Sequence, residues 1–467
     1  MNVKGIRLLL AGAGVLFVAW VLPPFAHMLS RLCPVRPDGV NEASALPSFA
    51  RKYKMSCMQC HTAFPVLNDY GRQFKMNGYV KEPGGTEGVL QSQDLQLWTE
   101  GSVPWNAIIR SRPLDNGKGS ISNQGAQMGG TASPNPNGFK MQPINDVDLF
   151  IAGGDAANRV SYLGEMDANA GGDFATTVGD LRLGYHPFSA LNLVAARRGF
   201  FADDPYQTIV SNESPTIANR ATDLLMADQG SITGNTMLPT QQVLSVYGQA
   251  PLAGQSFLYY AAGATKESNV GSQNSSPTNG AARLAFDAGN GMMVGAFGSY
   301  GHERPSTWTP PGIGGNLGVD NGVGGEQEFE RGGFDALWEA GGLAARGAIL
   351  FARDRDPITG DRASDRAAYA ELAYAFKRGS ADYPFLMPLV RENWYTTFNG
   401  TQEFTYVTAQ LAHFFKPNVK GFVEYSADTK AGHQGGTLAD PTTSSGGASL
   451  ALPPLGNRVT VQVEVGF

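Results

Sequence analysis

The sequence has little charge and almost no cysteine. Only 16% of the 467 residues are charged, and the formal net charge of −6 gives no indication of nucleic-acid binding. Three cysteines are too few for a disulfide framework. After residue 29, no run reaches the ~18 apolar residues that a membrane-spanning helix needs. These absences exclude a disulfide-stabilised secreted domain and a multi-helix membrane protein.

Amphipathic helices are also missing from residue 88 onward. The chain has instead 59 glycines and 10% aromatic residues. This composition is typical of many short strands joined by glycine-rich turns. The fold class predicted from composition and pattern is therefore all-β.

The first 29 residues have the pattern of an export signal. Lys4 and Arg7 precede an apolar run from Leu8 to Leu29. We assign residues 1–45 to an export signal and leader and leave the cleavage point open. Cys33 is then a thiol inside the removed segment.

The pentapeptide Cys57-Met58-Gln59-Cys60-His61 is the attachment motif of a c-type haem. The two thiols can form thioethers to the porphyrin, and the histidine can supply one axial ligand to the iron. Structural zinc needs about four ligands, and no second Cys/His pair lies nearby. A redox disulfide needs a βαβ context, which is absent. The sequence thus predicts one covalent haem c on Cys57, Cys60 and His61.

A short helix is predicted directly after the motif. Four residues follow at spacings of three and four, which aligns them on one helical face. They are Phe64, Leu67, Gly71 and Phe74. Pro65 suits the first turn of such a helix, and Gly78 suits its end. The haem segment, residues 46–87, is too small to bury a large core alone, so it needs the rest of the chain as a wall.

Residues 88–467 have the pattern of an antiparallel transmembrane β-barrel of about sixteen strands, with the haem segment as a small α-helical plug. The clearest strand is the last, where valines from Val459 to Val465 alternate with polar residues before the terminal Phe467. The runs lie near residues 105–112, 146–153, 158–166, 179–186, 191–199, 241–249, 255–263, 281–287, 291–300, 332–339, 342–352, 366–376, 384–394, 403–415, 419–427 and 457–467.

Long and short connections alternate along the chain, as the extracellular loops and periplasmic turns of an outer-membrane barrel do. The long ones are 113–145, 200–240, 301–331 and 428–456. A soluble β-sandwich is the alternative fold, but it has no reason to place every long loop at one end. The polar faces of the strands give four candidates for the barrel lumen: Arg346, Glu371, Glu424 and Glu464.

The second axial ligand stays open between two candidates. Met76 is near in sequence, but it lies on the helical face opposite the apolar residues. His186 shares its strand face with Arg182 and Gly184, a face predicted to point into the lumen near the periplasmic mouth. A polar role beside a turn is the alternative for His186.

The segment around the motif resembles the fused monohaem cytochrome–porins of the bacterial outer membrane, whose best-known members are iron-oxidising cytochromes. The resemblance rests on residues 46–57, the pentapeptide, residues 62–75 and Asn77-Gly78-Tyr79. It covers about residues 46–80. It implies a haem plug inside or beneath a porin, which passes electrons across the outer membrane.

The expected function is electron transport from extracellular Fe(II) to a periplasmic c-type cytochrome or another electron carrier. Outward electron transfer to an external acceptor stays open, as does a transport porin with a structural haem plug. The expected location is the bacterial outer membrane, whose lipid is a further partner; no nucleic-acid partner is expected. Whether the chain is an enzyme, an Fe(II)-oxidising cytochrome, depends on the direction of electron flow.

Overall fold

The computed structural model describes most of the barrel and the core of the haem segment. The described residues are 49, 53, 55–79, 105–115, 140–155, 159–169, 175–210, 214–218, 220–222, 241–267, 278–303, 327–355, 362–378, 383–397, 402–430, 438–439, 449–450 and 458–466. The export segment with Cys33, the boundary near residue 88 and Phe467 lie outside them, so those predictions stay predictions.

The described strands form one closed antiparallel barrel of sixteen strands. They are β1 (Trp105–Asp115), β2 (Lys140–Asp155), β3 (Val160–Asn169), β4 (Ala175–Phe188), β5 (Leu191–Arg197), β6 (Gln241–Pro251), β7 (Phe257–Glu267), β8 (Thr278–Asp287), β9 (Met292–Glu303), β10 (Gln327–Ala340), β11 (Leu343–Arg355), β12 (Arg362–Tyr374), β13 (Pro384–Thr397), β14 (Gln402–Lys416), β15 (Val419–Lys430) and β16 (Arg458–Gly466). Phe376–Lys377 prolongs β12 along β13. The barrel closes where Val465 of β16 pairs with Ile109 of β1.

Every predicted run coincides with one of these strands, so the prediction of about sixteen strands is confirmed. The alternation of connections is also as predicted. Ser189-Ala190, Gly341-Gly342 and Pro417-Asn418 are tight turns at one end of the barrel, and the strand ends that flank the long connections lie at the other end. Gly341 and Gly342 have φ of +58° and +94°, a backbone conformation that glycine adopts without steric cost.

The barrel is apolar outside and polar inside. Leu183, Leu244 and Phe334 are 66%, 67% and 61% exposed on its outer surface, while Arg182 and Asp335 are buried on its inner surface. Because successive residues of a strand face opposite sides, the period-two pattern of the sequence places apolar side chains outside and charged side chains inside. An outward apolar band is the surface that a transmembrane barrel presents to lipid.

The haem segment folds into a small plug whose described residues are 49, 53 and 55–79. A 3₁₀ turn, Cys57–Gln59, is followed by a short hairpin of His61–Ala63 with Val66–Leu67 and by helix α1, Asp69–Met76. The prediction of a helix starting near Pro65 is wrong, because Phe64 and Leu67 lie in the hairpin region. The helix starts at Asp69 because the Asn68 side chain accepts a hydrogen bond from the Gly71 amide at 2.9 Å and caps it.

No helix among the described residues is long and apolar enough to cross a membrane.

Helix α1 ends at Met76, and Gly78 follows with φ of +68°. The predicted role of Gly78 at the helix end is therefore confirmed.

The plug lies across the turn end of the barrel and contacts opposite walls. Ala63 packs in one cluster with Ala373 of β12 and Met387 of β13. Met76 packs in another cluster with Val194 of β5 and other wall residues. These two contacts place the plug inside the barrel mouth, with the barrel as the wall that the short segment needs.

The connection between β5 and β6 folds back into the lumen. We call its described residues 198–210, 214–218 and 220–222 the inner loop. Thr208 and Ile209 of the inner loop are fully buried. The Glu424 carboxylate of β15 accepts hydrogen bonds from the amides of Ile217 and Ala218 at 2.8 and 2.7 Å. The sequence indicated an external loop here, and the structure corrects that expectation.

Candidate functional site

The haem motif adopts one tight turn of backbone. The amide of Cys60 donates to the carbonyl of Cys57 at 3.1 Å, and the Ser56 side chain accepts from the Met58 amide at 3.3 Å. A 3₁₀ turn brings residues three apart to the same side. The turn therefore presents both thiols together, with His61 directly after them.

Asn68 holds this turn in place from the other side of the hairpin. Its side-chain Nδ2 donates to the carbonyls of Met58 and Gln59 at 3.2 and 3.1 Å. Its backbone amide donates to the carbonyl of Cys60 at 3.0 Å. One residue thus fixes three consecutive carbonyls of the motif and caps α1, a role that our sequence analysis missed. An asparagine directly before a helix was the available signal.

Gly71 lets helix α1 approach the motif backbone closely. A β-carbon at position 71 would overlap the carbonyl oxygen of Cys60 and lie 3.0 Å from Cδ2 of Leu67. The helix therefore packs on the motif turn without an intervening side chain. This contact forms a preformed cradle for the turn that bears the two thiols.

The donor set fits a covalent haem c. Cys57 is buried and Cys60 half-buried, and no disulfide joins the two thiols. Burial raises the pKa of the Cys60 thiol to about 11, so this thiol is protonated at neutral pH. His61 is buried, with its ring centroid 5.4 Å from that of Phe64. Within the described residues, no group of three or more His, Cys, Asp or Glu side chains is placed to hold a metal ion.

His186 lies inside the barrel, and it contacts the plug at Gly78. A β-carbon on Gly78 would overlap the imidazole. Nε2 of His186 lies 2.7 Å from Oγ of Ser161, and Nδ1 lies 2.9 Å from Oδ1 of Asn192. Both ring nitrogens thus have hydrogen-bonding neighbours on the barrel wall.

Met76 faces the same side of the barrel as His186. Its side chain is buried in the wall cluster, and its carbonyl accepts a hydrogen bond from the Tyr247 hydroxyl at 2.8 Å. Phe64, beside His61, instead lies near Lys420 of β15, whose Nζ is 3.4 Å from the Phe64 carbonyl. Both candidate second ligands therefore lie at the plug, Met76 within it and His186 on the wall beside it, but away from the Phe64 region. Their role as ligands stays a prediction.

An ion pair fixes helix α1 to the rim of the barrel. Nη1 of Arg72 donates to the Glu339 carboxylate of β10 and to the Leu67 carbonyl, both at 2.8 Å. Arg72 also pairs with Asp69. Burial lowers the pKa of Arg72, but Glu339 and Asp69 more than offset this and raise it overall. The guanidinium therefore stays charged and holds the plug to the wall.

The four predicted lumen residues all lie buried on the inner surface of the barrel: Arg346, Glu371, Glu424 and Glu464. Glu371 is surrounded by arginines, with Arg391 at 3.3 Å, Arg220 of the inner loop at 3.8 Å and Arg346 at 3.9 Å. The prediction of lumen positions is confirmed. Glu371 and Glu424 bind the inner loop to the wall, whereas Arg346 and Glu464 pair with other residues of the wall.

Comparison with known proteins gives likenesses in structure alone. No protein-family model matches the chain, and no curated protein matches it. The anion-selective porin from Comamonas acidovorans aligns with a TM-score of 0.50 at 9% identity, over 78% of this chain and 98% of the porin. The barrel has a porin fold.

Two further solved structures align less closely. Vibrio cholerae OmpT, folded in vitro in its trimer form, aligns with a TM-score of 0.49 at 11% identity, over 78% of this chain and 98% of OmpT. Salmonella typhi OmpF in complex with daunomycin aligns with a TM-score of 0.49 at 12% identity, over 78% of this chain and 97% of OmpF.

Proposed function

We propose that this protein is an outer-membrane cytochrome–porin that passes electrons through its plug. The observation that supports the proposal is the position of the motif. Cys57, Cys60 and His61 belong to a plug that contacts opposite walls of a porin-fold barrel. A haem held there would lie inside the turn-end mouth of the barrel, where a carrier on that side can approach it, whereas a haem on a separate soluble domain would not be held at the barrel.

Three residues would hold the haem c. Cys57 and Cys60 would form the thioethers, and His61 would bind the iron; the bound haem supplies one-electron redox chemistry. Asn68 orients the turn by fixing its carbonyls. Arg72 keeps the plug seated against Glu339. The protein's own contribution is thus to position the redox centre and to exclude solvent around it.

The direction that we propose is inward, from extracellular Fe(II) to a periplasmic electron carrier. Oxidation at the cell surface leaves insoluble Fe(III) outside the cell. The electron must then cross a hydrocarbon core about 30 Å thick. Filling of the lumen by the plug and the inner loop supports a role as an electron conduit over a role as an open diffusion channel.

Proteoliposomes test this proposal. The haem-loaded protein is placed in vesicles that enclose an oxidised cytochrome c, and Fe(II) is added outside. We expect reduction of the enclosed cytochrome, and none with a Cys57→Ala/Cys60→Ala variant. A haem spectrum that stays oxidised with Fe(II) at both acidic and neutral pH would reject inward electron transfer.

Transport through the lumen is the second candidate function, and the porin fold itself favours it. Planar-bilayer conductance separates the two candidates. A large open-channel current from the intact haem protein would support a transport porin with a structural plug. We expect a small current, because plug and inner loop are both bound to the wall. Outward electron flow would instead show as reduction of an external acceptor by a reduced carrier inside the vesicles.

A further inference from the structure

Three exposed basic residues lie together at the turn end of the barrel. They are Lys377 and Arg378, which follow β12, and Lys416, which ends β14. We call these three residues the basic arc. Among the described residues, none of the three has an ion-pair partner. Their charge is therefore available to a partner outside the chain.

The strand register places the two lysines close to each other. Lys377 pairs with Pro384 of β13, and Lys416 pairs with Val419 across the turn to β15. Neighbouring strands lie about 4.8 Å apart, so Lys377 and Lys416 are separated by roughly 10 Å across β13. This spacing suits two contacts with one protein surface.

Both lysines lie just beyond the regular part of the wall. The strand register shifts between Phe376 and Lys377 and again between Phe414 and Lys416, and both lysine side chains are exposed. Ala375 and Phe414, two residues before these lysines, are buried. The lysines therefore lie at the rim of the mouth, where a protein docked on the mouth is the favoured partner and an anionic lipid headgroup is the alternative.

The basic arc adjoins the part of the plug that follows His61. Lys420, next to Lys416 in the same turn region, has its Nζ 3.4 Å from the Phe64 carbonyl and 5.6 Å from the Phe64 ring. Lys420 forms an ion pair within the protein, because its Nζ lies 2.9 Å from the Glu464 carboxylate. Lys416, in contrast, is exposed at the same edge of the mouth.

Acidic groups that the structure describes at this mouth form ion pairs within the protein, and one of them, Glu464, lies on the Lys420 side. Glu339 of β10 binds Arg72, and Asp69 of the plug is paired with the same guanidinium. The basic arc places three exposed basic side chains beside the Phe64 region, whereas the exposed Arg159 on the His186 side donates to the Pro187 carbonyl. A partner with an acidic face would be steered to that side.

We propose that the basic arc is the docking surface for the acidic face of a soluble periplasmic electron carrier. This inference rests on the proposed electron transfer. In the step, one electron leaves the reduced haem iron, which becomes ferric, and enters the oxidised metal centre of the carrier. No bond forms or breaks. The arc acts by orienting the carrier beside the plug.

Two redox proteins of opposite surface charge serve as probes: an acidic plastocyanin and a basic cytochrome c, both oxidised. The haem protein is held in zwitterionic nanodiscs and pre-reduced with dithionite, which is then removed. Stopped-flow spectroscopy gives the rate of haem oxidation by each probe. We expect the acidic probe to react faster, with a rate that falls as ionic strength rises.

Charge removal tests the residues themselves. Lys377→Gln/Lys416→Gln should slow the acidic probe by about tenfold at low ionic strength and leave the basic probe unslowed. The matched control is Arg353→Gln/Arg362→Gln, which removes two exposed charges at the far end of the barrel. It should leave both rates unchanged. Heat-modifiable migration of each variant on gels verifies that the barrel is folded.

The outcomes separate the docking surface from the proposed function. Equal rates for both probes, or no effect of the lysine substitutions, would overturn the docking surface even if Fe(II) reduces the haem. A charge-dependent rate with the acidic probe but no reduction by Fe(II) would support the docking surface and reject inward electron transfer from Fe(II). An effect of the substitutions that appears only in nanodiscs with anionic lipid would make the arc a lipid contact and overturn the proposal.

Discussion

The α-carbon of Gly71 lies so close to the carbonyl oxygen of Cys60 that no β-carbon fits between them. This contact joins helix α1 directly to the turn that bears the two thiols. Asn68, the residue directly before the same helix, also binds the turn: its side-chain amide donates hydrogen bonds to two carbonyls of the motif. The geometry of the candidate haem site is thus set by α1, which is itself bound to the barrel wall.

Substitution of Gly71 by alanine should displace the motif turn. The added methyl group has rigid backbone on the opposite side, so we expect a cost of about 1–3 kcal/mol and a clear loss of covalent haem. Pyridine haemochrome absorbance per barrel measures the loss. Gly280→Ala is the control, because the nearest atom to its β-carbon is 4.0 Å away. Full haem loading of Gly71→Ala would contradict this role.

Removal of the Arg72 charge should loosen the plug. Arg72→Leu breaks a buried ion pair with Glu339, for which we expect a loss of about 3–5 kcal/mol in the stability of the seated plug. Planar-bilayer conductance should rise as the plug leaves the mouth more often.

The control for this prediction is Arg353→Leu, which breaks an exposed pair with Glu330 at 3.8 Å. Exposed pairs contribute about 0–1 kcal/mol, so conductance and melting temperature should stay near those of the wild type. Unchanged conductance in Arg72→Leu would show that other contacts, such as that of Lys75 with the inner loop, suffice to seat the plug.

The strands could be predicted from sequence because each needs only a local pattern. Period-two alternation, as in Val459 to Val465, marks a strand whatever the rest of the chain does. The haem motif is equally local, since Cys57, Cys60 and His61 are adjacent in the chain. Fold class and motif were therefore within reach of sequence analysis alone.

The inner loop and the plug contacts could not be predicted in this way. Ile217 is bound by Glu424, 207 residues later, and Leu67 by Gln207, 140 residues later. No local pattern encodes such pairs. The start of α1 was misplaced for a related reason: the apolar spacing from Phe64 continued the helical pattern, but the Asn68 cap and the hairpin decided where the helix begins.

The wall contacts of His186 and Met76 lead to a prediction about haem ligation. Both nitrogens of His186 have hydrogen-bonding neighbours at 2.7 and 2.9 Å, and Met76 is packed against the wall. His186→Gln and Met76→Leu test the two candidate ligands: the variant that removes the second axial ligand should change the haem absorption and magnetic circular dichroism spectra, and the other should keep those of the wild type. Wild-type spectra in both variants would exclude both candidates. A shift to a high-spin spectrum in either variant would identify that residue as the second axial ligand.

Acidification should weaken the attachment of the inner loop through Asp203. This carboxylate lies 3.0 Å from Arg198 and 3.3 Å from Arg182. Burial raises the pKa of Asp203, but the two arginines lower it more, so the pKa in the folded protein lies below 3.8. The ion pairs therefore stabilise the loop above pH 3.8, and this contribution is lost as the pH falls through the lowered pKa.

The pKa of the neighbouring Asp204 is shifted in the opposite direction, upward. Only the substitution of Asp203 therefore tests the predicted loss of stability in acid. Burial raises the pKa of Asp204, and Arg283 offsets this only in part, so its contribution is present below pH 3.8 and is lost as the pH rises. Planar-bilayer conductance of the wild type should stay low from neutral pH to about pH 4 and rise only in more acidic buffer. Asp203→Asn should conduct more at neutral pH and respond less to acid, whereas the exposed control Glu330→Gln, far from the plug, should follow the wild type. Identical acid responses of Asp203→Asn and wild type would show that another group controls the loop.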